Sequence, residues 1–64
     1  MKEDIARKIV EKNEDYKLRE DYSGRFMFGE TTFAVVVPNK EDAESLARKY
    51  NLHVDQMGLS YIIY

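Results

Sequence analysis

The absence of cysteine from a chain of only 64 residues is the feature that most constrains its fold. A chain this short buries only about 60% of the surface that its unfolded form exposes, so small domains often rely on disulfides, metal ions or a partner chain. Without cysteine there is no disulfide and no thiolate metal site, and the single histidine, His53, excludes a histidine-rich metal cluster. We therefore expect one domain over residues 1–64, held together by a compact apolar core, with no cofactor.

The net charge of the chain excludes few of the possible functions. The chain carries 10 Lys and Arg against 12 Asp and Glu, a formal net charge of -2. A non-specific nucleic-acid binder is usually clearly basic, because phosphate neutralisation supplies most of its affinity. A protein that mimics DNA is usually far more acidic than this chain. Net charge therefore favours neither class, and the 44% hydrophobic content is typical of a globular domain.

The sequence has no segment typical of secretion or membrane insertion. Residues 1–4 are not followed by the apolar run of a signal peptide. No apolar stretch approaches the roughly 20 residues that cross a bilayer. The lack of cysteine suits a reducing compartment. We expect a soluble intracellular protein without membrane association.

Two amphipathic helices are predicted. Residues 3–13 form the first, with apolar side chains on one face at Ile5, Ala6, Ile9 and Val10. In the second, Asn39 is a natural N-cap and Asn51 can end the helix in a left-handed conformation. Its apolar residues follow at i, i+3, i+4 and i+7: Ala43, Leu46, Ala47 and Tyr50.

Two strands are predicted between the helices. From Tyr16 the period changes to two, which places Tyr16, Leu18 and Tyr22 on one strand face. Glu20 interrupts that face, so this strand lies at a sheet edge or twists there. Residues 31–37 contain a β-branched run that is apolar on both faces, which predicts a central strand that ends at Pro38.

The C-terminal part predicts one or two further strands. Leu52–Val54 is typical of a short strand, and Leu59–Tyr64 is typical of a last strand. Residues 55–58 between them are predicted to form a turn, with Met57 folded over the core. Alternatively, Gly58 marks a bulge in one continuous strand. The fold class is then α+β, in the order α-β-β-α-β(-β). A mostly antiparallel sheet of three to four strands carries both helices on one face.

The segment between the first two strands has an unusual composition. Two glycines, Gly24 and Gly29, bracket an arginine, two phenylalanines and a methionine, although a hairpin needs only about two to five polar residues. In one interpretation the segment is strand, with alternate aromatics under the helices. In the other it is an exposed recognition loop, and Met27 can be buried while Phe26 and Phe28 face outward. Arginine, phenylalanine and methionine are enriched in protein interfaces.

Other candidate sites have weaker signals. Arg25 could hold an anion together with backbone N–H groups, but Glu30 follows Gly29 where a phosphate-binding loop has lysine. The carboxylates that could hold Mg²⁺ in a minimal nuclease are more simply solvated strand ends: Asp15, Glu20, Asp21 and Glu30. His53 is expected to be a partly exposed strand residue. Of Tyr61 and Tyr64, we expect one to pack against the helices and the other to cap the sheet edge.

Two stretches resemble a family of small phage and prophage proteins. Tyr22-Ser23-Gly24-Arg25, with Met27 and Gly29, resembles its Y-S-G-R-G-M-(Y/F)-G signature, and residues 55–64 resemble its D-x-M-G-L-x-x-I-x-Y ending. The likeness covers the strand regions but not the first helix. Phe26 departs from the pattern, because the family commonly has glycine there. The resemblance implies a mobile-element protein in the cytoplasm of a bacterial host cell, and no activity.

The composition of residues 25–28 and the absence of catalytic groups predict a non-enzymatic binding module. The resemblance implies that this module inhibits or redirects a host protein, such as a CRISPR effector or another defence system. Arg25, Phe26 and Phe28 are the predicted contacts, with Tyr22 in support. The alternative is a nucleic-acid-binding module that uses Arg19, Arg25 and surface tyrosines. An exposed strand edge and a thin core would also suit a homodimer.

Overall fold

Two helices and four strands alternate in the order α-β-β-α-β-β, which confirms the predicted α+β class. The structure is a computed structural model, and it describes all 64 residues. The elements are α1 (Glu3–Glu11), β1 (Lys17–Tyr22), β2 (Thr32–Val37), α2 (Lys40–Tyr50), β3 (Val54–Met57) and β4 (Ser60–Ile63). Neither helix has the length and apolar character needed to cross a lipid bilayer.

The four strands form one antiparallel sheet in the spatial order β1-β2-β4-β3. Because β4 runs antiparallel to both β2 and β3, those two strands are parallel to each other, with β4 between them. Helix α2 connects them as a split β-α-β unit. The apolar strand β2 is central, as its two apolar faces predicted, and β1 and β3 are the edges.

Both helices pack on one face of the sheet and enclose the main core there. Val35 and Val37 of β2 and Ile63 of β4 point toward the helices and are fully buried. The helices contribute Ala6, Ile9, Ala43 and Ala47 to the same cluster. Burying each large aliphatic side chain contributes about 1.5–3 kcal/mol, so this face provides most of the hydrophobic stabilisation of a small domain.

The ends of α2 form as predicted. The Asn39 side chain accepts a hydrogen bond from the Asp42 backbone N–H at 2.8 Å, and its amide donates to the Asp42 carboxylate at 2.9 Å. Asn51 ends the helix at φ 57° and ψ 57°, in the left-handed region. Helix α1 ends at Glu11, two residues earlier than predicted, and the Asn13 side chain donates to the carbonyl of Ile9 at 3.3 Å.

A bulge in β1 reverses the predicted orientation of Tyr22. The register pairs Leu18 with Val35 and Arg19 with Ala34, but then pairs Tyr22 with Thr32, so β1 has one extra residue. A bulge of this kind shifts the alternation of side chains. Leu18 therefore packs toward the helices, whereas Tyr22 lies on the opposite face of the sheet. The prediction of a twist or an edge position at Glu20 is confirmed, but the prediction that Leu18 and Tyr22 share a face is wrong.

The predicted turn at residues 55–58 and the alternative of one continuous strand are both wrong. Strand β3 is Val54–Met57, and a two-residue hairpin turn at Gly58 and Leu59 leads into β4. Gly58 has φ +63°, which suits glycine at the first turn position. Asp55 is consequently a strand residue opposite Ile62. Met57 is 38% exposed instead of folded over the core.

Candidate functional site

No helix covers the second face of the sheet, which we call the open face. Its centre is nevertheless apolar and buried: Ala34 of β2 and Ile62 of β4 have no exposed surface, and Tyr64 is 5% exposed. Tyr22, Met27 and Val36 pack against these residues. A second, smaller core therefore exists on the open face, and part of its cover comes from outside the sheet.

Residues 23–31, which we call the β1–β2 loop, provide that cover. The segment consists of turns and bends without strand structure, so it is a loop and the strand interpretation is wrong, while its recognition role stays a prediction. Met27 points inward onto the open-face core. Its N–H donates to the carbonyl of Gly24 at 3.0 Å, and its own carbonyl accepts a hydrogen bond from the Ser23 hydroxyl at 3.2 Å. The loop thus folds back over the sheet.

The carboxylate of Asp55 joins this loop to the sheet. Its Oδ2 atom accepts hydrogen bonds from the hydroxyl groups of Tyr64 at 2.8 Å and Tyr22 at 3.1 Å. The backbone N–H of Arg25 lies 3.4 Å from the same oxygen. The Arg25 guanidinium lies 3.8 Å from the other carboxylate oxygen, Oδ1, which is buried and has no hydrogen-bond partner. One side chain of β3 is therefore linked to β1, to the end of β4 and to the loop.

The hydrogen bonds favour the charged form of Asp55. Burial alone raises the pKa of a carboxyl group, but the donors Tyr64, Arg25 and Tyr22 and the Arg25 charge outweigh it, so the pKa of Asp55 lies below its ordinary value of 3.8. Burial and the hydrogen bond to Asp55 raise the pKa of both Tyr22 and Tyr64 above the ordinary value of 10.0. The cluster is therefore a carboxylate with two neutral tyrosine donors across the physiological pH range.

Gly24 is the residue that lets the loop approach the two tyrosine rings. A Cβ atom at this position would lie 2.5 Å from Cζ of Tyr64 and 2.7 Å from Cε2 of Tyr22. Real Cβ atoms are essentially never found so close to other heavy atoms. The two rings pack against each other with their centroids 5.1 Å apart. Any side chain at Gly24 must displace one ring or lift the loop.

The outer side of the loop presents aromatic and basic groups to solvent. Phe28 is 92% exposed and Phe26 is 51% exposed. The Phe26 ring packs against the His53 ring at a tilt of 34°, with centroids 4.7 Å apart, and the Arg25 guanidinium lies 5.8 Å from the centroid of the Phe26 ring. The Arg25 side chain is 72% exposed. Met27 alone among the three large apolar side chains of the loop turns inward, as the loop interpretation allowed.

The structure separates the predicted contact residues into two groups. Arg25, Phe26 and Phe28 lie together on the exposed side of the loop, whereas Tyr22 lies beneath it with its hydroxyl on Asp55. Sequence reasoning missed Asp55, Gly24 and Tyr64 as parts of the site. The only sequence signal for these residues was the pair of short motifs around Gly24 and Asp55. That the two motifs contact each other follows from the strand registers, which the sequence does not give.

The other candidate sites do not assemble into comparable clusters. No three His, Asp or Glu side chains come together in a group that could hold a metal ion. His53 is exposed and lies just before β3 rather than within a strand. Tyr61 packs against the main core on the helix side of the sheet, as predicted for one of the two tyrosines. The other, Tyr64, was predicted to cap an edge of the sheet but is buried in the open-face core. The surface carries no concave pocket.

Comparisons with known proteins provide no relative: no protein-family model, no curated protein and no solved structure matches the chain significantly. The resemblance of residues 22–29 and 55–64 to phage proteins therefore stays a prediction.

Gly24→Ala is expected to destabilise the protein by about 1–3 kcal/mol, because overpacking against the tyrosine rings forces them or the loop to move. The near-ultraviolet circular dichroism of the tyrosines should change with it. Gly29→Ala is the comparison: Gly29 has φ +80° but no atom within 4 Å of an added Cβ. It should lower stability through backbone strain and leave the tyrosine spectrum unchanged. Identical spectra for all three proteins would contradict the packing role of Gly24.

Asp55→Asn is expected to destabilise the protein at neutral pH by about 1.5–3 kcal/mol, the range for hydrogen bonds to charged groups. Because the folded-state pKa of Asp55 lies below 3.8, its stabilisation is fully present above that value and is lost as pH falls through the folded pKa. The difference between wild type and Asp55→Asn in the free energy of unfolding should therefore shrink in acid. Urea titrations at several pH values measure this difference.

Asp21→Asn is the control for this pH series, because Asp21 is an exposed carboxylate of β1, the edge strand opposite β3. It should change the free energy of unfolding little at any pH. If Asp55→Asn were as stable as wild type at neutral pH, the carboxylate would not hold the loop.

Proposed function

We propose that this protein is a non-enzymatic binding module and that the β1–β2 loop is its contact surface. One observation carries the proposal: a loop that is fastened at its base holds Phe28 92% exposed and Phe26 51% exposed. Keeping large aromatic side chains in water is unfavourable, and clustered exposed apolar groups commonly mark interaction sites. The adjacent Arg25 adds a residue type that is enriched, with aromatics, in interface cores.

The attachment of the loop supports the same function. A loop that is already ordered loses less conformational entropy when a partner binds, and this improves affinity without additional contacts. Asp55, Tyr22 and Tyr64 order the base of the loop, while Met27 anchors its middle in the open-face core. In this proposal Arg25, Phe26 and Phe28 touch the partner, whereas Tyr22 and Asp55 are positioning residues.

The resemblance to phage and prophage proteins supplies the cellular context of the proposal. The partner would be a host protein in the bacterial cytoplasm, which the module inhibits or redirects, with defence systems among the possible targets. The rival nucleic-acid function is less well supported, because it relied on surface tyrosines. Tyr64 is 5% exposed, and the hydroxyls of Tyr22 and Tyr64 are both bonded to Asp55.

Phe28→Ala is expected to weaken partner binding by roughly 30-fold or more, as for a central interface residue, while leaving the melting temperature unchanged. The combined Arg25→Ala and Phe26→Ala variant should abolish capture. The measurement is affinity capture from a bacterial lysate with the tagged protein, followed by titration of the retained protein.

Leu59→Ala is the matched control, because Leu59 is 97% exposed but lies in the β3–β4 turn. It removes the same kind of apolar surface outside the loop and should retain the partner. Capture that survives Phe28→Ala and the double variant, or that is lost only in Leu59→Ala, would show that the loop is not the contact surface.

A further inference from the structure

The open face also carries basic side chains that have no acidic partner. Lys17 is paired with Val36 and Arg19 with Ala34, and residues paired across antiparallel strands share a face, so both cations lie on the open face. Both are exposed. The two salt bridges of the structure are Arg7–Glu3 and Arg25–Asp55, which leaves Lys17 and Arg19 without a carboxylate partner.

The negative charge on the open face belongs to one residue, Asp55, which is already paired with Arg25. Of the open-face positions that the strand registers define, Asp55 alone is acidic. Its side chain is 13% exposed, and its nearest cation is Arg25. Arg19 extends toward Met57, with Nη1 4.0 Å from the sulfur. In a chain of net charge -2, the face that displays the aromatic loop is therefore locally basic and partly apolar.

We propose that the segment bound by this face is an acidic and apolar stretch of a protein partner. Its carboxylates would face Lys17 and Arg19, and its apolar side chains would pack against Phe26 and Phe28. This inference rests on the proposed function and specifies the chemistry of the partner. Complementary charges of this kind set specificity and association rate, while the aromatic contacts provide most of the affinity.

The charges of the exposed side chains favour an acidic protein segment over a second copy of this chain and over a nucleic acid. A second copy bound face to face about a two-fold axis would bring equivalent cations near each other, because both copies use the same surface. A nucleic acid is attracted by excess positive charge over the whole approach path. Exposed carboxylates at Glu20 and Asp21 of β1 and at Glu30 within the loop oppose a polyanion. A short acidic protein segment needs only the local pair Lys17 and Arg19.

The test is selection from a displayed library of random 12-residue peptides on the immobilised wild-type protein, followed by sequencing. The expected result is enrichment of peptides in which Asp or Glu flanks aromatic or aliphatic residues. In the Lys17→Gln and Arg19→Gln double variant the acidic preference should disappear while the apolar preference stays. The best acidic peptide should bind this variant roughly tenfold more weakly than wild type, the scale of two partly exposed ion pairs.

The matched control is the Arg48→Gln and Lys49→Gln double variant, which removes one arginine and one lysine from exposed positions of α2. It lowers the net charge equally and should keep the acidic preference. The Phe28→Ala variant separates the two proposals. Selection that depends on Phe28 but shows no acidic preference would overturn the acidic partner and keep the binding function.

Two further results would overturn the inference. Selection that is unchanged by Phe28→Ala, or the absence of any enriched peptide, would remove the binding function and the acidic partner together. A 20-nucleotide oligothymidine that binds the wild-type protein more tightly than the best acidic peptide, and loses that binding in the Lys17→Gln and Arg19→Gln variant, would assign the open face to nucleic acid.

Discussion

The carboxylate of Asp55 holds the cover of the open face in place, because two tyrosine hydroxyls and the backbone N–H of Arg25 at the base of the β1–β2 loop donate hydrogen bonds to it. A chain of 64 residues forms two helices, and both pack on the same face of the sheet. The apolar residues Ala34 and Ile62 on the other face need a different cover. The loop and the tyrosines provide it, and the hydrogen bonds to Asp55 hold them in place.

The same interaction links stability to the proposed function. A nearly buried carboxylate is favourable only while its donors are in place, since an unpaired buried charge is costly. The arrangement therefore favours one position of the loop, with Met27 inward and Phe28 outward. A flexible loop of the same composition would collapse its aromatic residues onto any available apolar surface. The attached loop keeps them exposed, on the face of the sheet that also carries the unpaired cations Lys17 and Arg19.

The helices and the central strand could be predicted from sequence because their signals are local. Asn39 caps α2 through its own neighbour Asp42, and the β-branched run of β2 is apolar whichever way it faces. The site could not be predicted, because it depends on register. One extra residue in β1 turns Tyr22 away from Leu18, and a two-residue turn places Asp55 within a strand. The first change moves Tyr22 to the other face of the sheet, and the second takes Asp55 from a predicted turn onto the open face. Phe26 and Phe28 fitted a strand face as well as a loop, since both lie at alternate positions.

Backbone amide hydrogen exchange of the wild-type protein tests the central claim that Asp55 fastens the loop. The N–H groups of Arg25 and Met27 are hydrogen-bonded, to Asp55 and to the carbonyl of Gly24. The account predicts that these two amides exchange far more slowly than those of Phe28, Gly29 and Glu30 in the same loop. Exchange of the Arg25 amide as fast as that of these three would show that the loop is not held by Asp55.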